Sequence, residues 1–548
     1  MMPRRSDYAG VRSSWRGDLV AGVTVGVVAL PLALGFGIAT GLGAQAGLVT
    51  AIVAGLVAAV FGGSNVQVSG PTGAMTVVLV PVVARFGASA VVVVGIMAGA
   101  MVVVAAFAGV GRFLAYIPWP VVEGFTIGIA LIIFLQQVPT ALGVPKPDGE
   151  NTAAVAVRAV GEALRGEGNW SSLILVLLVA VIMIGAVRLH RALPGSLLAV
   201  VIASVLAGVS GMSAPRIGDL PWGLPAPALP NLGGLQLGQL VSAAFAVALL
   251  AGLESLLSAK VADGMSDTEP HDPNRELFGQ GLANLVSPLF GGMPATGAIA
   301  RTAVNVRSGG RTRLSAITHS IVLLGVVYLG GALVARIPLA VLAGVLMVTA
   351  VRMVDVHGVR MVLRSTRSDA IVLVLTAAAT VAFDLIVAVE IGIAAAALLA
   401  LRAVARNAHA VAERVPGTSD GVTPVEEHAL LAEQILTYRL DGALFFGAAQ
   451  RFLAELTEVD GVKVVILRLP QLQVLDATGA QALGEIVSQL EGRGITVLIK
   501  GPRPEHLRVL EAVGVLDRLA HERHVFADLD DAIAHARQHV EREVRDAA

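Results

Sequence analysis

The chain reads Gln67-Val68-Ser69-Gly70-Pro71-Thr72-Gly73-Ala74 at one break in its apolar sequence and Gly291-Gly292-Met293-Pro294-Ala295-Thr296-Gly297-Ala298 at a second. Each break contains Gly and Pro and leads into Thr-Gly. The apolar stretches that belong to the breaks, residues 72–86 and 296–306, are shorter than the roughly 20 residues that a spanning helix needs. The two breaks therefore predict two half-length helices in corresponding positions of the chain.

The composition is that of a membrane protein. Of 548 residues, 55% are hydrophobic and 14% are charged, whereas a soluble domain has roughly 25% charged residues. The chain has no cysteine and a net charge of −1, which excludes thiolate sites and gives no basis for binding nucleic acid. Because no phosphate-binding loop, metal-ligand cluster or Ser-His-Asp arrangement is recognised, the sequence predicts neither an enzyme nor a cofactor or metal.

Apolar runs alternate with short polar loops from Leu19 to Arg406. Twelve runs are long enough to span a bilayer, and with the two half-length stretches they give fourteen segments. Each half-length stretch is the third of seven, so we predict an all-α membrane domain of two seven-segment repeats, the second inverted relative to the first. The full-length runs are 18–40, 44–62, 88–109, 119–141, 170–188, 194–212, 238–262, 276–292, 314–335, 337–354, 369–384 and 386–406.

Matched broken segments in two repeats point to a transport site. The amino termini of the half-helices are expected to face each other near the midplane, where their N–H groups and dipoles attract an anion. The alternative is that Gly and Pro only kink two ordinary helices.

The chain divides into four regions. Residues 1–17 form an N-terminal segment, 18–408 a transmembrane domain, 409–429 a linker rich in Pro and Gly, and 430–548 a soluble domain. Arg and Lys concentrate in the loops on the side of the N-terminus, which predicts cytoplasmic N- and C-termini in the cell membrane.

Two ionisable residues stand out in the apolar segments. Glu254 lies in an otherwise apolar helix with Ser258 one turn later, a pair that can ligate sodium or, through Glu254, carry a proton. A simple helix-packing hydrogen bond is the other interpretation. Arg301, soon after the second break, either supplies positive potential to the anion site or opens the basic loop that follows.

Four stretches resemble the SulP sulfate-permease family of anion transporters, namely Asp18–Pro31, Ile117–Phe125, Glu254–Asp263 and Arg301–Asn305. The resemblance covers nearly the whole chain. It implies a fourteen-segment inverted-repeat fold in a homodimer. A core (segments 1–4 and 8–11) would carry the anion like an elevator against a gate (segments 5–7 and 12–14) that makes the dimer contacts.

The same resemblance implies the site residues. Thr72, Gly73, Gly297 and Ala298 would present backbone or hydroxyl donors to the anion, Phe36 would line the site, and Glu254 would serve coupling. Two positions depart from the family pattern. Leu32 stands where many members have Gln, which removes a polar side chain near the site and weakens the carry-over of sulfate specificity. Ile299 stands where some sodium-coupled bicarbonate members have a hydroxyl residue, which favours a proton over sodium as the coupling ion. Gln67–Thr76 resembles the bicarbonate branch of the family, so sodium stays open.

The last region alternates strands and helices. Strands are predicted at 434–440, 462–469 and 495–499, and helices at 480–490 and 504–513, an order typical of a small α/β sandwich. The region resembles the STAS domain that SulP transporters share with anti-sigma-factor antagonists. At the position of the phosphorylated serine of the antagonists the chain has Ala477, so that switch is not expected, although Thr478 is a second candidate acceptor.

The sequence thus predicts secondary active transport of a small anion such as sulfate, bicarbonate or a dicarboxylate. Three other functions stay open, namely a sodium-coupled bicarbonate symporter, an uncoupled anion channel on the same fold, and a membrane signalling protein whose tail binds an internal ligand. The residues do not identify the anion.

Overall fold

The computed structural model describes the chain except for residues 9, 113–117, 150, 190–193, 219–222, 231–236, 267, 384, 408, 413–433, 445–461, 522–523 and 547–548. The described residues form two compact units, Met1–Ala394 and Ala395–Ala548. The first is helical with one short β pair, and the second contains a six-stranded sheet.

Eighteen α-helices are described before the sheet. They are α1 (Val11–Ala39), α2 (Ala44–Phe61), α3 (Gly73–Phe86), α4 (Ala88–Phe107), α5 (Trp119–Gln136), α6 (Val138–Leu142), α7 (Thr152–Glu162), α8 (Trp170–Leu189), α9 (Gly195–Val209), α10 (Leu237–Met265), α11 (Pro273–Val286), α12 (Ile299–Arg307), α13 (Arg313–Leu329), α14 (Gly331–Ala335), α15 (Leu339–Met353), α16 (Val356–Arg364), α17 (Arg367–Ala382) and α18 (Leu385–Asn407).

Each of the fourteen predicted segments coincides with a helix. The half-length pair are α3, with 14 residues, and α12, with 9. Seven helices in the described part of the chain are long and apolar enough to cross a bilayer, so the count of fourteen crossings stays a prediction. α1 begins at Val11, inside the stretch 1–17 that was predicted to precede the membrane domain.

The packing of the helices repeats between the two halves. α1 packs against α13, and its counterpart α10 packs against α4. α2 likewise packs against α13, and its counterpart α11 packs against α4. Both half-helices, α3 and α12, contact α1 and α10. This exchange of partners between the halves is what a two-fold relation of two seven-segment repeats produces.

The second unit contains the strands β3 (His409–Ala412), β4 (Ile435–Leu444), β5 (Val464–Arg468), β6 (Leu472–Leu475), β7 (Thr496–Lys500) and β8 (Val525–Phe526), and the helices α19 (Ala477–Gly492), α20 (Pro504–Ala512) and α21 (Leu529–Asp546). Strands β1 and β2 form the short β pair of the membrane unit, and their ranges are given with the site below. The sheet has the order β3-β4-β5-β7-β8, with β6 beside β4, and every pair except β3–β4 is parallel.

Apolar residues cover both faces of this sheet. One face packs on α19 and α20 through residues such as Val465, Leu483 and Leu510, and the other packs on α21 through Ile466, Leu498 and Ile533. α19 begins at its N-cap Asp476, whose Oδ1 accepts the N–H of Gly479 at 2.7 Å. Asp476 therefore has a capping role in the loop that resembles the antagonists.

The tail departs from the prediction in three elements. β6, β8 and α21 were not predicted, because they are short or follow the last recognised apolar run. The predicted linker, residues 409–429, starts with strand β3, which pairs with β4, and its remaining residues from 413 onward lie outside the described part.

Candidate anion site

The two breaks meet in the structure as a two-stranded antiparallel pair. β1 (Ser69–Gly70) from the first break pairs with β2 (Thr296–Gly297) from the second, in the register Ser69 opposite Gly297 and Gly70 opposite Thr296. All four residues are buried. Because α3 begins directly after β1 and α12 directly after β2, the pair brings the amino termini of the two half-helices together, as the sequence predicted.

Polar side chains from the neighbouring helices hold the second break. The N–H of Met293 donates to Thr50 of α2 at 2.7 Å, and the N–H of Gly297 donates to Ser255 of α10 at 2.9 Å. Asn284 of α11 accepts the N–H of Ala295 at 2.7 Å and donates to its carbonyl at 2.9 Å. These bonds replace the intrahelical bonds that the break removes, since buried backbone groups need partners.

The first break is held by residues of the second repeat. The N–H groups of Gly63 and Ser64 donate to the carboxylate of Glu276 in α11 at 2.8 and 3.1 Å. The N–H of Val68 donates to Thr302 of α12 at 3.0 Å, and Asn305 donates to the carbonyl of Val66 at 2.7 Å. Helices α11 and α12 of the second repeat thus fix the backbone of the first break.

The two half-helices differ in how their first turns are capped. Thr72 is the N-cap of α3 and accepts the N–H of Met75 at 3.4 Å. Ala298 is the N-cap of α12 and gives no side-chain cap, and its own N–H donates to the carbonyl of Val68 at 3.0 Å. The other N–H groups of a first turn lack intrahelical acceptors, so both helix starts offer donors to a ligand.

Glu254 lies on α10 and reaches the first half-helix. The hydroxyl of Thr72 donates to Oε2 of Glu254 at 3.0 Å, and the carboxylate interacts electrostatically with Arg301. Glu254 is half-buried. Ser258, proposed from sequence as its partner, instead donates to Thr302 at 3.1 Å and is fully buried.

Arg301 is buried between the breaks, with 2% of its surface exposed. Its Nη2 donates to the carbonyl of Pro71, and its Nη1 lies beside Gly70 without a hydrogen-bond partner among the described residues. Of the two sequence interpretations of Arg301, this burial agrees with positive potential at the site rather than with an opening to the basic loop.

Phe36 and Gly73 are neighbours. A Cβ on Gly73 would lie 3.4 Å from Cε1 of Phe36 and 2.1 Å from Cδ1 of Ile133, so glycine is the residue that lets α3 start against these side chains. Phe36 is 5% exposed. Gly73 and Phe36 therefore form an apolar wall beside Thr72.

Sequence reasoning missed two buried residues of the site. The amide of Gln67 is 6% exposed and packs against Gly297, where an added Cβ would lie 1.8 Å from its Nε2. Neither amide atom of Gln67 has a partner among the described residues. His319 of α13 interacts electrostatically with Arg301, and its ring nitrogens are likewise without partners in the described part. Gln67 belongs to the first break quoted above, but the sequence alone did not indicate that its side chain is buried.

Two half-helices that start side by side, with a buried arginine on one of them and a carboxylate on the adjacent α10, define a membrane transport protein of the inverted-repeat class. A family model described as the sulfate permease family matches residues 15–376, and one described as the STAS domain matches residues 429–532. The chain belongs to the sulfate permease family and carries a STAS domain, as the sequence resemblance predicted.

Individual relatives extend this result. YvdB of Bacillus subtilis, provisionally named a sulfate transporter, is 34% identical over 94% of this chain and 96% of its own. The bicarbonate transporter BicA of a Picosynechococcus strain is 31% identical over 92% of each chain. The murine anion transporter Slc26a9 shares the fold, with a TM-score of 0.81 over 96% of this chain and 92% of its own at 19% identity. These relatives are transporters, in agreement with the predicted non-enzymatic function.

Proposed function

We propose that the protein is a secondary active transporter that binds a small anion between the amino termini of α3 and α12. The β1–β2 pair carries this proposal, because it brings two helix amino termini and Arg301 to one place. Thr72, Gly73 and Gly297 lie at this place, Ala298 contributes as the α12 cap, and Phe36 lines it. An anion there is stabilised by helix dipoles, N–H donors and one guanidinium.

An elevator movement is supported by where the site residues lie. Phe36, Thr72, Glu254, Gly297 and Arg301 are all in or next to α1, α3, α10 and α12, and α1 and α10 each contact both half-helices. The helices α5, α8, α15 and α17 pack among themselves in a second group. The first group together with α2, α4, α11 and α13 is the proposed mobile core, and the second group with α9 and α18 is the proposed gate that makes the contacts of a homodimer.

The carboxylate provides a way to couple the anion to protons. Protonation of Glu254 adds one positive charge unit to a site that holds Arg301, so proton and anion favour each other's binding. Sodium is the second candidate, and it needs oxygen ligands. Ser258 makes its hydrogen bond with Thr302 and not with Glu254, and Ile299 offers no side-chain oxygen, so we favour the proton.

Bicarbonate, sulfate and dicarboxylates are the proposed substrates. The named activities of BicA and YvdB support the first two. With Glu254 ionised, one guanidinium faces one carboxylate, and this low net charge favours a singly charged anion such as bicarbonate.

Proteoliposome uptake tests the proposal. Purified protein is reconstituted, and labelled bicarbonate, sulfate and fumarate are offered with an inward proton gradient, with a sodium gradient, or with neither. We expect saturable accumulation of one anion above its external concentration with the proton gradient, and loss of that uptake in Arg301→Gln. Uptake that only equilibrates the anion would indicate a channel, accumulation that needs sodium would indicate the bicarbonate symporter alternative, and uptake unchanged in Arg301→Gln would overturn the site.

A further inference from the structure

Three histidines come together in the STAS domain. His524, His535 and His539 each offer one ring nitrogen, and these atoms all lie within 4.8 Å of one another. The ring centroids of His524 and His539 are 5.2 Å apart, and those of His535 and His539 are 5.0 Å apart.

Local structure fixes the positions of all three. His535 and His539 are four residues apart in α21, so they share one face of the helix. His524 precedes β8, and its carbonyl accepts the N–H of Ile499 in β7 at 2.8 Å. α21 packs on the same sheet through Leu529 and Ile533. The two sides of the cluster therefore belong to one packed body.

His524 has the features of an unused ligand. It is 2% exposed, and its Nδ1 has no hydrogen-bond partner within the described residues. The ring also makes a hydrogen bond with the backbone of Val497, and metal-binding histidines commonly use their second nitrogen in this way.

We propose that His524, His535 and His539 bind a divalent first-row transition-metal ion, with Zn²⁺ as the probe. Three imidazole nitrogens are a donor set that such ions prefer over Mg²⁺ and Ca²⁺. Tetrahedral Zn²⁺ with bonds of 2.0–2.1 Å needs nitrogens about 3.3 Å apart, so the rings close by up to roughly 1.5 Å. Bound metal joins α21 to the segment before β8 and leaves one coordination position for water or a partner's ligand.

Metal binding is measured on the full-length protein, purified without a histidine tag and stripped with a chelator. Equilibrium dialysis should give about one Zn²⁺ per chain, not displaced by excess Mg²⁺, and Co²⁺ should give a visible spectrum of a tetrahedral site. Zn²⁺ should also slow amide hydrogen exchange in residues 529–540.

The variants His535→Ala and His539→Ala test the ligands, because both side chains are half-buried and their removal leaves the sheet packing in place. Each should weaken Zn²⁺ binding at least about tenfold. His357→Ala removes an exposed histidine elsewhere and should bind like the parent. Binding that survives in both cluster variants, or is lost equally in His357→Ala, would overturn the proposal, as would the absence of a tetrahedral Co²⁺ spectrum.

Discussion

The hydroxyl of Thr72 donates a hydrogen bond of 3.0 Å to the carboxylate of Glu254, a residue 182 positions later in the chain. The same hydroxyl accepts the N–H of Met75 in the first turn of α3. One side chain therefore caps the half-helix of the first repeat and contacts the proposed coupling residue of the second. We expect the charge on Glu254 to affect the start of α3 through this contact.

Thr72→Val tests this contact. Valine keeps the shape of threonine but leaves the carboxylate without its donor, and a hydrogen bond to a charged group contributes about 1.5–3 kcal/mol. We expect anion uptake to fall roughly tenfold or more, with Thr72→Ser close to the parent. The matched control is Thr76→Val, one turn later, whose hydroxyl bonds only the carbonyl of Thr72 at 3.1 Å. Equal losses in Thr72→Val and Thr76→Val would contradict a special role for Thr72.

Gly297→Ala tests the approach of the two breaks. The new Cβ would lie 1.8 Å from Nε2 of Gln67 and 3.0 Å from Cα of Ser255, so the Gln67 amide must move. We expect folded protein with roughly tenfold lower uptake, and partial recovery when Gln67→Ala is added. Gly325→Ala, where nothing lies within 4 Å of the added Cβ, should transport like the parent and is the control. Recovery that fails in the double variant would show that the contact with Ser255 decides the outcome.

The sequence predicted the helices and the meeting of the breaks because both leave local signals. Long apolar runs mark the helices, and Gly70-Pro71 and Pro294 mark the positions where backbone bonding must change. Because the two breaks lie at corresponding positions of two inverted repeats, the amino termini of their half-helices are expected to meet.

The supports of the breaks were not predictable in the same way. Nothing in the sequence distinguishes Thr50 or Asn284 from the other polar residues of α2 and α11, and only the packing of these helices on the second break identifies their partners. Ser258 lies on the same face of α10 as Glu254, but its hydroxyl donates a hydrogen bond to Thr302 of α12. The cluster of His524, His535 and His539 likewise depends on the packing of α21 beside β7. The spacing of the three histidines in the sequence does not predict that packing.

The pair Asp7–Arg275 makes stability depend on pH. Arg275 donates to both oxygens of Asp7, at 2.9 and 2.5 Å, and these bonds lower the pKa of Asp7 from 3.8 to about 2. Since the pKa is lower in the folded state, the contribution of about 2 kcal/mol is present above pH 3.8 and is lost as the pH falls toward 2. Asp7→Asn should lower the melting temperature at pH 7, and the difference from the parent should shrink in acid. Asp148→Asn, in an exposed loop, is the control and should change neither.

The proposed orientation can be tested cleanly because the chain has no cysteine. With a cytoplasmic N-terminus, Lys146→Cys lies outside, in the connection between predicted segments 5 and 6. His357→Cys lies at the start of α16, in the connection between predicted segments 12 and 13, which faces the cytoplasm. In intact cells, an impermeant thiol reagent should label the cysteine at position 146 and reach the one at position 357 only after the membrane is opened. The reversed labelling pattern would require an outward N-terminus.

Glu254→Gln is the most direct test of the coupling mechanism. Glutamine fixes the side chain in a neutral form of nearly the same size, and its amide oxygen can still accept the bond from Thr72. The site of Arg301, the helix starts and the β1–β2 pair is left unchanged, so we expect the variant to bind the anion. Because the variant cannot take up or release a proton at this position, uptake should lose its dependence on pH and no longer concentrate the anion. Exchange of labelled for unlabelled anion across the membrane needs no net proton movement, and it should continue.

If accumulation in the variant still rises with an inward proton gradient as in the parent, the coupling group lies elsewhere. If the parent accumulates the anion with sodium at constant pH, Glu254 instead serves as an oxygen ligand of sodium, and Glu254→Gln should then raise the sodium concentration needed for half-maximal uptake.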